Sequence, residues 1–151
     1  MKLFVIGSPL AAESVARELA QLLGVEAKDL EGLYEGRTAE EGDAALAEAI
    51  SDPDWVVYGS EFSNREKVMR ASELIAVADL CTAVALWRLL RIKGEGRGEQ
   101  GRLWRLFRSK DTRSKLNIRL VAFSYKVRRV KGGPSLRRLR REIERRGSGR
   151  G

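Results

Sequence analysis

The sequence predicts an α/β fold, and three features carry that expectation. The chain opens on a short apolar run, Leu3-Phe4-Val5-Ile6, which Gly7 closes and a stretch with one apolar helical face follows. A second run, Trp55-Val56-Val57-Tyr58, is apolar throughout, as a strand covered on both faces should be. Between the two, Thr38-Ala39-Glu40-Glu41 is a capping box, a Thr followed three residues on by Glu, which marks a helix start. Strand and helix alternate, and 151 residues suit one domain large enough for a proper core.

The elements follow in order. Ala12, Val15, Leu19, Leu22 and Leu23 fall on one face of the first helix, and Gly24 is placed as its C-terminal stop. Residues 25–30 read as a short second strand, and Gly32 and Gly36 mark a turn. The capped helix runs to about Ile50, with Ala45, Leu46, Ala49 and Ile50 inward, and ends before Asp52-Pro53 because the residue preceding Pro disfavours helix. After the third strand and Gly59, residues 65–70 read as a short helix and residues 73–78 as a fourth strand. Asp79 can cap a further helix carrying Cys81, Val84, Leu86, Trp87, Leu89 and Leu90, although periodicity alone also allows one long helix over residues 72–93.

The character then changes. Residues 91–102 hold four glycines among basic side chains and read as a flexible loop. Leu103, Leu106 and Phe107 make one helical face, flanked by Arg102, Arg105 and Arg108. Residues 116–123 read as a helix and residues 125–131 as a final strand. Gly132-Gly133-Pro134 reads as a hard break, and Ser135 as the cap of a last helix with a narrow apolar stripe of Leu136, Leu139 and Ile143. Residues 147–151 are expected to be a disordered tail.

The first strand-to-helix turn invites a chemical reading, because helix N-terminal amides can hold an anion. Set against the phosphate-loop pattern G-x-x-x-x-G-K-[ST], residues 7–14 supply Gly7 and Ser14 but put Ala12 for the second Gly and Glu13 for the Lys. A like charge at roughly 4 Å in an effective dielectric near 20 repels by about 4 kcal/mol. The other reading is a tight turn and nothing more, with Ser8 capping the helix and Pro9 as its first residue.

The segment order resembles that of small P-loop kinases of the adenylate-kinase-like group, in particular the topology-modulation proteins. The resemblance rests on residues 1–24, on LGVEAKDLEGLYEG, AEEGDAALAEAI and DPDWVVYGSEFSN, and spans about residues 1–145. It implies a three-layer α/β sandwich with a parallel sheet of about five strands, and a cut at Asp79 between strand and helix. It implies a lid over residues 93–102 and a substrate-side acid at Glu31. The kinase chemistry departs from the pattern twice, at Glu13 and at Tyr58, which stands where the third strand should carry an acid. A degenerate P-loop with lost catalysis is therefore expected, with Gly7, Ser8 and Ser14 as nucleotide-binding residues and ATP with Mg as cofactor only if nucleotide binding survives.

Composition narrows the chemistry. The chain has no His and one Cys, which argues against a zinc site and excludes an internal disulfide, and Cys81 reads as a small core residue. No run of 18 apolar residues suggests a membrane span, and no signal peptide is evident, so a cytoplasmic protein is expected. Asn and Gln number four in all while a third of the residues are charged, a composition that suggests a thermophile.

The net charge of +8 is split between an acidic half, residues 1–80 at −9, and a basic half, residues 81–151 at +17. Three function classes compete for that split. A non-catalytic RNA-binding protein, a component of a ribonucleoprotein particle such as the ribosome, is the expectation adopted. Its partner would be structured RNA, with rRNA the first choice, and protein neighbours would meet the acidic half. Arg102, Arg105, Arg108, Lys110, Arg113, Arg128, Arg129, Arg137, Arg138, Arg140 and Arg141 would contact phosphates, and Trp104 would stack on a base. The alternative is a nucleotide-binding protein or small-molecule kinase with an atypical P-loop. The third class is a protein that docks an acidic partner.

Overall fold

The computed structural model describes residues 1–59, 65–80 and 121–148. Five strands, β1 (Lys2–Gly7), β2 (Ala27–Asp29), β3 (Trp55–Gly59), β4 (Leu74–Ala78) and β5 (Val127–Val130), form one sheet in the order β2-β3-β1-β4-β5. Every pairing is parallel. β1 lies between β3 and β4 with Leu3 opposite Val56 and Leu74, and its residues Leu3 to Ile6 are fully buried.

Strand alternation divides the core in two. Leu3 and Val5 face a cluster that takes in Val15 and Leu19 of α1 (Pro9–Leu23) and Leu136, Leu139 and Ile143 of α4 (Gly133–Ser148). Phe4 and Ile6 face the other cluster, with Leu46 of α2 (Ala39–Ala49) and Val68 and Met69 of α3 (Arg65–Ala71). Helices thus cover both faces of a parallel sheet, giving the three layers and five strands that the segment order implied.

Local signals set the element ends. Gly24 adopts a left-handed φ of 68°, and the Val25 N–H closes α1 on the Ala20 carbonyl at 3.0 Å. The capping box forms as the spacing predicts. Thr38 Oγ1 accepts from the Glu41 N–H at 3.3 Å, and the Thr38 N–H donates to Glu41 Oε2 at 2.8 Å. β2 is shorter than expected, three residues, at the edge of the sheet.

The C-terminal third departs from the sequence reading. Val121–Lys126 is a 3-10 segment broken at Phe123, not the end of an α-helix, and β5 begins only at Val127. The physical reason is Lys126. Its buried ammonium donates to the carbonyls of Met69, Arg70 and Ser72 at 2.9, 3.3 and 2.7 Å, closing the C-terminal end of α3. A cation there is favoured by the helix dipole and by otherwise orphaned carbonyls. The rings of Phe123 and Tyr125 lie 5.3 and 5.6 Å from the same Nζ. An extended strand at residues 125–126 could not place the ammonium on those three acceptors and both rings.

The last helix starts at Gly133, two residues before the expected cap, because Pro134 fits a first helical turn instead of breaking the chain. Ser135 Oγ works backward, accepting from the N–H groups of Lys131 and Gly132 at 2.9 and 3.1 Å. The helix continues through Gly147 and Ser148, which were expected in the tail. The expected helix after Asp79, the lid-like loop and residues 149–151 lie outside the described residues.

The Lys126→Met variant keeps an apolar stem but leaves three carbonyls without their donor. We expect a loss of about 1–3 kcal/mol, read from the urea midpoint at constant m-value. An unchanged midpoint would show that the ammonium contributes nothing to the docking of this segment on α3.

Candidate functional site

The carboxyl ends of the strands are where an open parallel sheet offers a crevice, at the point where the chain order reverses. Here that point is β1, with β3 on one side and β4 on the other. Among the described residues, those that could build a site are the β1–α1 turn, the acids after β2, and the ends of β3 and β4.

The turn is minimal. β1 ends at Gly7, α1 begins at Pro9, and Ser8 alone connects them. Ala11, Ala12, Glu13 and Ser14 therefore lie inside the first two turns of α1, and no loop of backbone amides surrounds a phosphate between Gly7 and the helix. Gly7 has a different reason to be Gly. A Cβ there would lie 2.5 Å from the carbonyl oxygen of Ala78, its neighbour across the β1–β4 ladder. Ser8 occupies the N-cap position but its side chain makes no capping hydrogen bond. Pro9 has no N–H, and Ala12 bonds Ser8 O at 2.8 Å, so helix geometry leaves the amides of Leu10 and Ala11 without an intrahelical acceptor.

Glu13 is buried and its carboxylate meets Arg17 at 2.7 Å, one turn along α1. The Ser14 hydroxyl is fully buried and has no hydrogen-bond partner among the described residues. In a Walker-type site that hydroxyl would stand at the helix start, facing a metal-bound triphosphate. Here it stands one turn too deep. The described residues of this turn do not make the Walker-type contacts to a triphosphate and its Mg, and among the described residues no group of three His, Cys, Asp or Glu could hold a metal ion.

The acids after β2 are better placed. The Leu30 N–H pairs with Tyr58 O at 2.8 Å, continuing the ladder by one residue, and the chain then turns tightly. Asp29 Oδ1 accepts from the Glu31 N–H at 3.1 Å. Burial raises the Asp29 pKa above its ordinary 3.8, and hydrogen bonding to and charge on Glu31 raise it further. A Cβ on Gly59 would lie 3.6 Å from Glu31 Oε1, which puts that carboxyl against the end of β3. The pair therefore sits on the crevice side of the sheet, where the kinase resemblance implied a substrate-side acid.

Behind the acids the structure holds a network that the residue pattern did not reveal. Tyr34 lies flat on Gly42, where a Cβ would come within 2.1 Å of its ring, and its hydroxyl donates to Asp43 at 2.7 Å. Lys67 of α3 reaches the other oxygen of Asp43 at 2.7 Å. These two bonds, that of Lys67 foremost, hold Asp43 below the usual carboxylate range. The only sequence signal was a Gly inside a helical pattern, a position that often reports close packing.

The expected phosphate contacts that fall within the described residues lie on more than one element and face. Arg102, Trp104, Arg105, Arg108, Lys110 and Arg113 lie outside the described residues. Arg128 forms a two-pronged pair with Glu142 at 2.9 and 2.8 Å, which holds that carboxyl below its ordinary range. Arg140 turns inward to Glu18 of α1 at 3.3 Å. Strand alternation sends Arg129 to the face away from α4. Arg137, Arg138 and Arg141 remain exposed on α4.

No protein-family profile matches the chain, and no curated protein matches it. Solved structures do. The shikimate kinase of Aquifex aeolicus vf5 aligns with a TM-score of 0.50 at 14% identity, covering 99% of this chain and 98% of that one. That of Bacteroides thetaiotaomicron gives 0.49 at 16%, covering 94% and 97%. That of Acinetobacter baumannii, in complex with shikimate, gives 0.48 at 18%, covering 99% and 94%. At such identities the likeness concerns the fold, a P-loop kinase-like α/β sandwich. It corrects the expectation of an RNA-binding ribonucleoprotein or ribosomal component. The Aquifex aeolicus vf5 protein whose fold the chain shares is a kinase, and two of the arginines assigned to phosphates, Arg128 and Arg140, serve ion pairs within the chain. Among the described residues no helix is long and apolar enough to cross a membrane.

Two outcomes separate packing from chemistry at these positions. Gly7→Ala drives a methyl into the Ala78 carbonyl, and overpacking of this kind costs about 1–3 kcal/mol, which a urea midpoint will read. An unchanged midpoint would mean that β1 and β4 can part freely. Asp29→Asn tests the buried acid. A raised folded pKa means that stability is fully present below the unfolded value of 3.8 and is lost as pH rises through the folded value. The variant should therefore be more stable than wild type at pH 7, with the difference closing as pH falls below 3.8. A variant less stable at pH 7 would contradict the shift.

Proposed function

We propose that this chain is a nucleotide-binding protein on a P-loop kinase-like fold, with a Walker-type loop reduced to the single residue Ser8. The carrying observation is the uncapped start of α1 at the reversal point of the sheet. There the amides of Leu10 and Ala11 lack intrahelical acceptors and Ser8 leaves them open. Such a helix start favours an anion through its dipole and its N–H groups. Asp29 and Glu31, across β3 from the turn, would receive the hydroxyl-bearing side of the ligand or its acceptor. They are suited to accept hydrogen bonds from hydroxyls and unsuited to a second phosphate.

This reading favours binding over phosphoryl transfer. The Lys that would neutralise a transferring phosphate is Glu13, committed to Arg17. It also favours a ligand with few phosphates, because the described residues at the helix start offer two amides and a dipole.

Calorimetric titration of the purified chain with AMP, ADP and ATP tests it. Saturable binding, competed by inorganic phosphate, is the expected outcome. Ser8→Asp supplies the missing cap and should stabilise the fold by about 0.5–1 kcal/mol while abolishing nucleotide binding. Binding that survives Ser8→Asp would move the phosphate elsewhere. No heat with any of the three at millimolar concentration would remove the proposal.

A further inference from the structure

The arginines of α4 divide into two groups. Arg140 and Arg146 point to the flanks and pair with Glu18 and Glu142. Arg137, Arg138, Arg141 and Arg145 occupy the face opposite Leu136, Leu139 and Ile143, are exposed, and meet no carboxylate among the described residues. Arg137, Arg141 and Arg145 recur every four residues, so their Cα atoms follow one ridge about 12 Å long. A row of guanidinium groups at that spacing repels itself unless an anion lies near.

The same molecule carries a counterpart. On α2, Gly42, Leu46 and Ala49 face the core, and Glu40, Ala44, Ala47 and Glu48 face outward. Glu40 and Glu48 stand eight residues apart, the separation of Arg137 and Arg145, and neither has an ion-pair partner among the described residues. Between them Ala44 and Ala47 leave room for the long side chains of a facing helix. α2 and α4 cover opposite faces of the sheet, so the two rows cannot meet within one chain.

We propose that α4 of one copy docks on α2 of a second, with Arg137, Arg141 and Arg145 reaching Glu40 and Glu48 across the exposed alanines. The contact joins unlike surfaces, so copies add head to tail. Its pairs are solvent-exposed, each worth little alone, and the association is therefore weak and salt-sensitive.

Sedimentation velocity on the full chain tests this with a charge swap. At about 50 mM salt, where the Debye length exceeds about 10 Å, the weight-average sedimentation coefficient should rise with protein concentration. In high salt it should fall to the monomer value. Arg137→Glu/Arg141→Glu/Arg145→Glu and Glu40→Lys/Glu48→Lys should each be monomeric at low salt, since each sets like charges against like. Mixed in equal amounts, the two variants should associate again, because both contacts are then complementary. That rescue also shows that both variants are folded. A wild-type chain that stays monomeric at low salt overturns the proposal, including one that instead binds anionic vesicles or heparin. So does association that persists in either variant alone, or a mixture that stays monomeric.

Discussion

The fold depends on β1 being buried on both faces and pressed between two neighbours. Leu3, Phe4, Val5 and Ile6 are fully buried, and each contributes roughly 1.5–3 kcal/mol by leaving water. Their alternation fixes which helices lie on which side, since Leu3 and Val5 demand α1 and α4 while Phe4 and Ile6 demand α2 and α3. A slip of one residue would exchange the two sets. The close approach at the end of the strand follows from the same constraint. Gly7 can sit against the Ala78 carbonyl only because it has no side chain, and that lets the chain leave the sheet at once into α1.

Charge does for the C-terminal third what apolar area does for β1. Residues 121–148 are tied to the rest of the chain by Lys126 and Arg140 and braced within themselves by Arg128. Lys126 binds the end of α3, Arg128 ties β5 to Glu142, and Arg140 ties α4 to α1. Lys126 is the most constrained of these, a buried cation satisfied by backbone oxygens instead of a carboxylate. Truncating it would leave carbonyl dipoles unpaired in a site that water does not readily enter, the costly way to break a buried polar contact. Among the described residues, the ion pair of Arg140 with Glu18 joins the basic half of the sequence to the acidic half.

Much of this was legible in the residues and some could not have been. The capping box at Thr38, Pro9 at the first turn, the stop at Gly24 and the doubly apolar Trp55 strand each act through neighbours within a few residues, and each forms as read. Lys126 acts across more than fifty residues, and nothing near it in sequence distinguishes it from the other cations around it. The arginines were read as one anion-binding set for the same reason. Composition counts charges, whereas only the packing of α4 decides that Arg128 and Arg140 are committed and Arg137 and Arg141 are not. At the candidate site, Gly7 and Ser14 have the spacing of a phosphate loop, but spacing does not say where the helix starts. Pro9, fixed near helical φ, starts it early and takes the residues that a loop would need.

The meaning of Glu13 changes with that early start. In a loop it would face a phosphate and repel it with the full strength of an unpaired charge. In the second turn of α1 it is paired with Arg17 and buried, so the pair presents almost no net charge to the helix start. What the described residues present there is the dipole of α1 and two amides, a modest and local attraction that falls off within one turn. Glu13 stands where the phosphate-loop spacing would put the Lys that meets charge developing during transfer. The early start of α1 therefore leaves an uncapped helix end at the reversal point of the sheet, with Glu13 turned to Arg17.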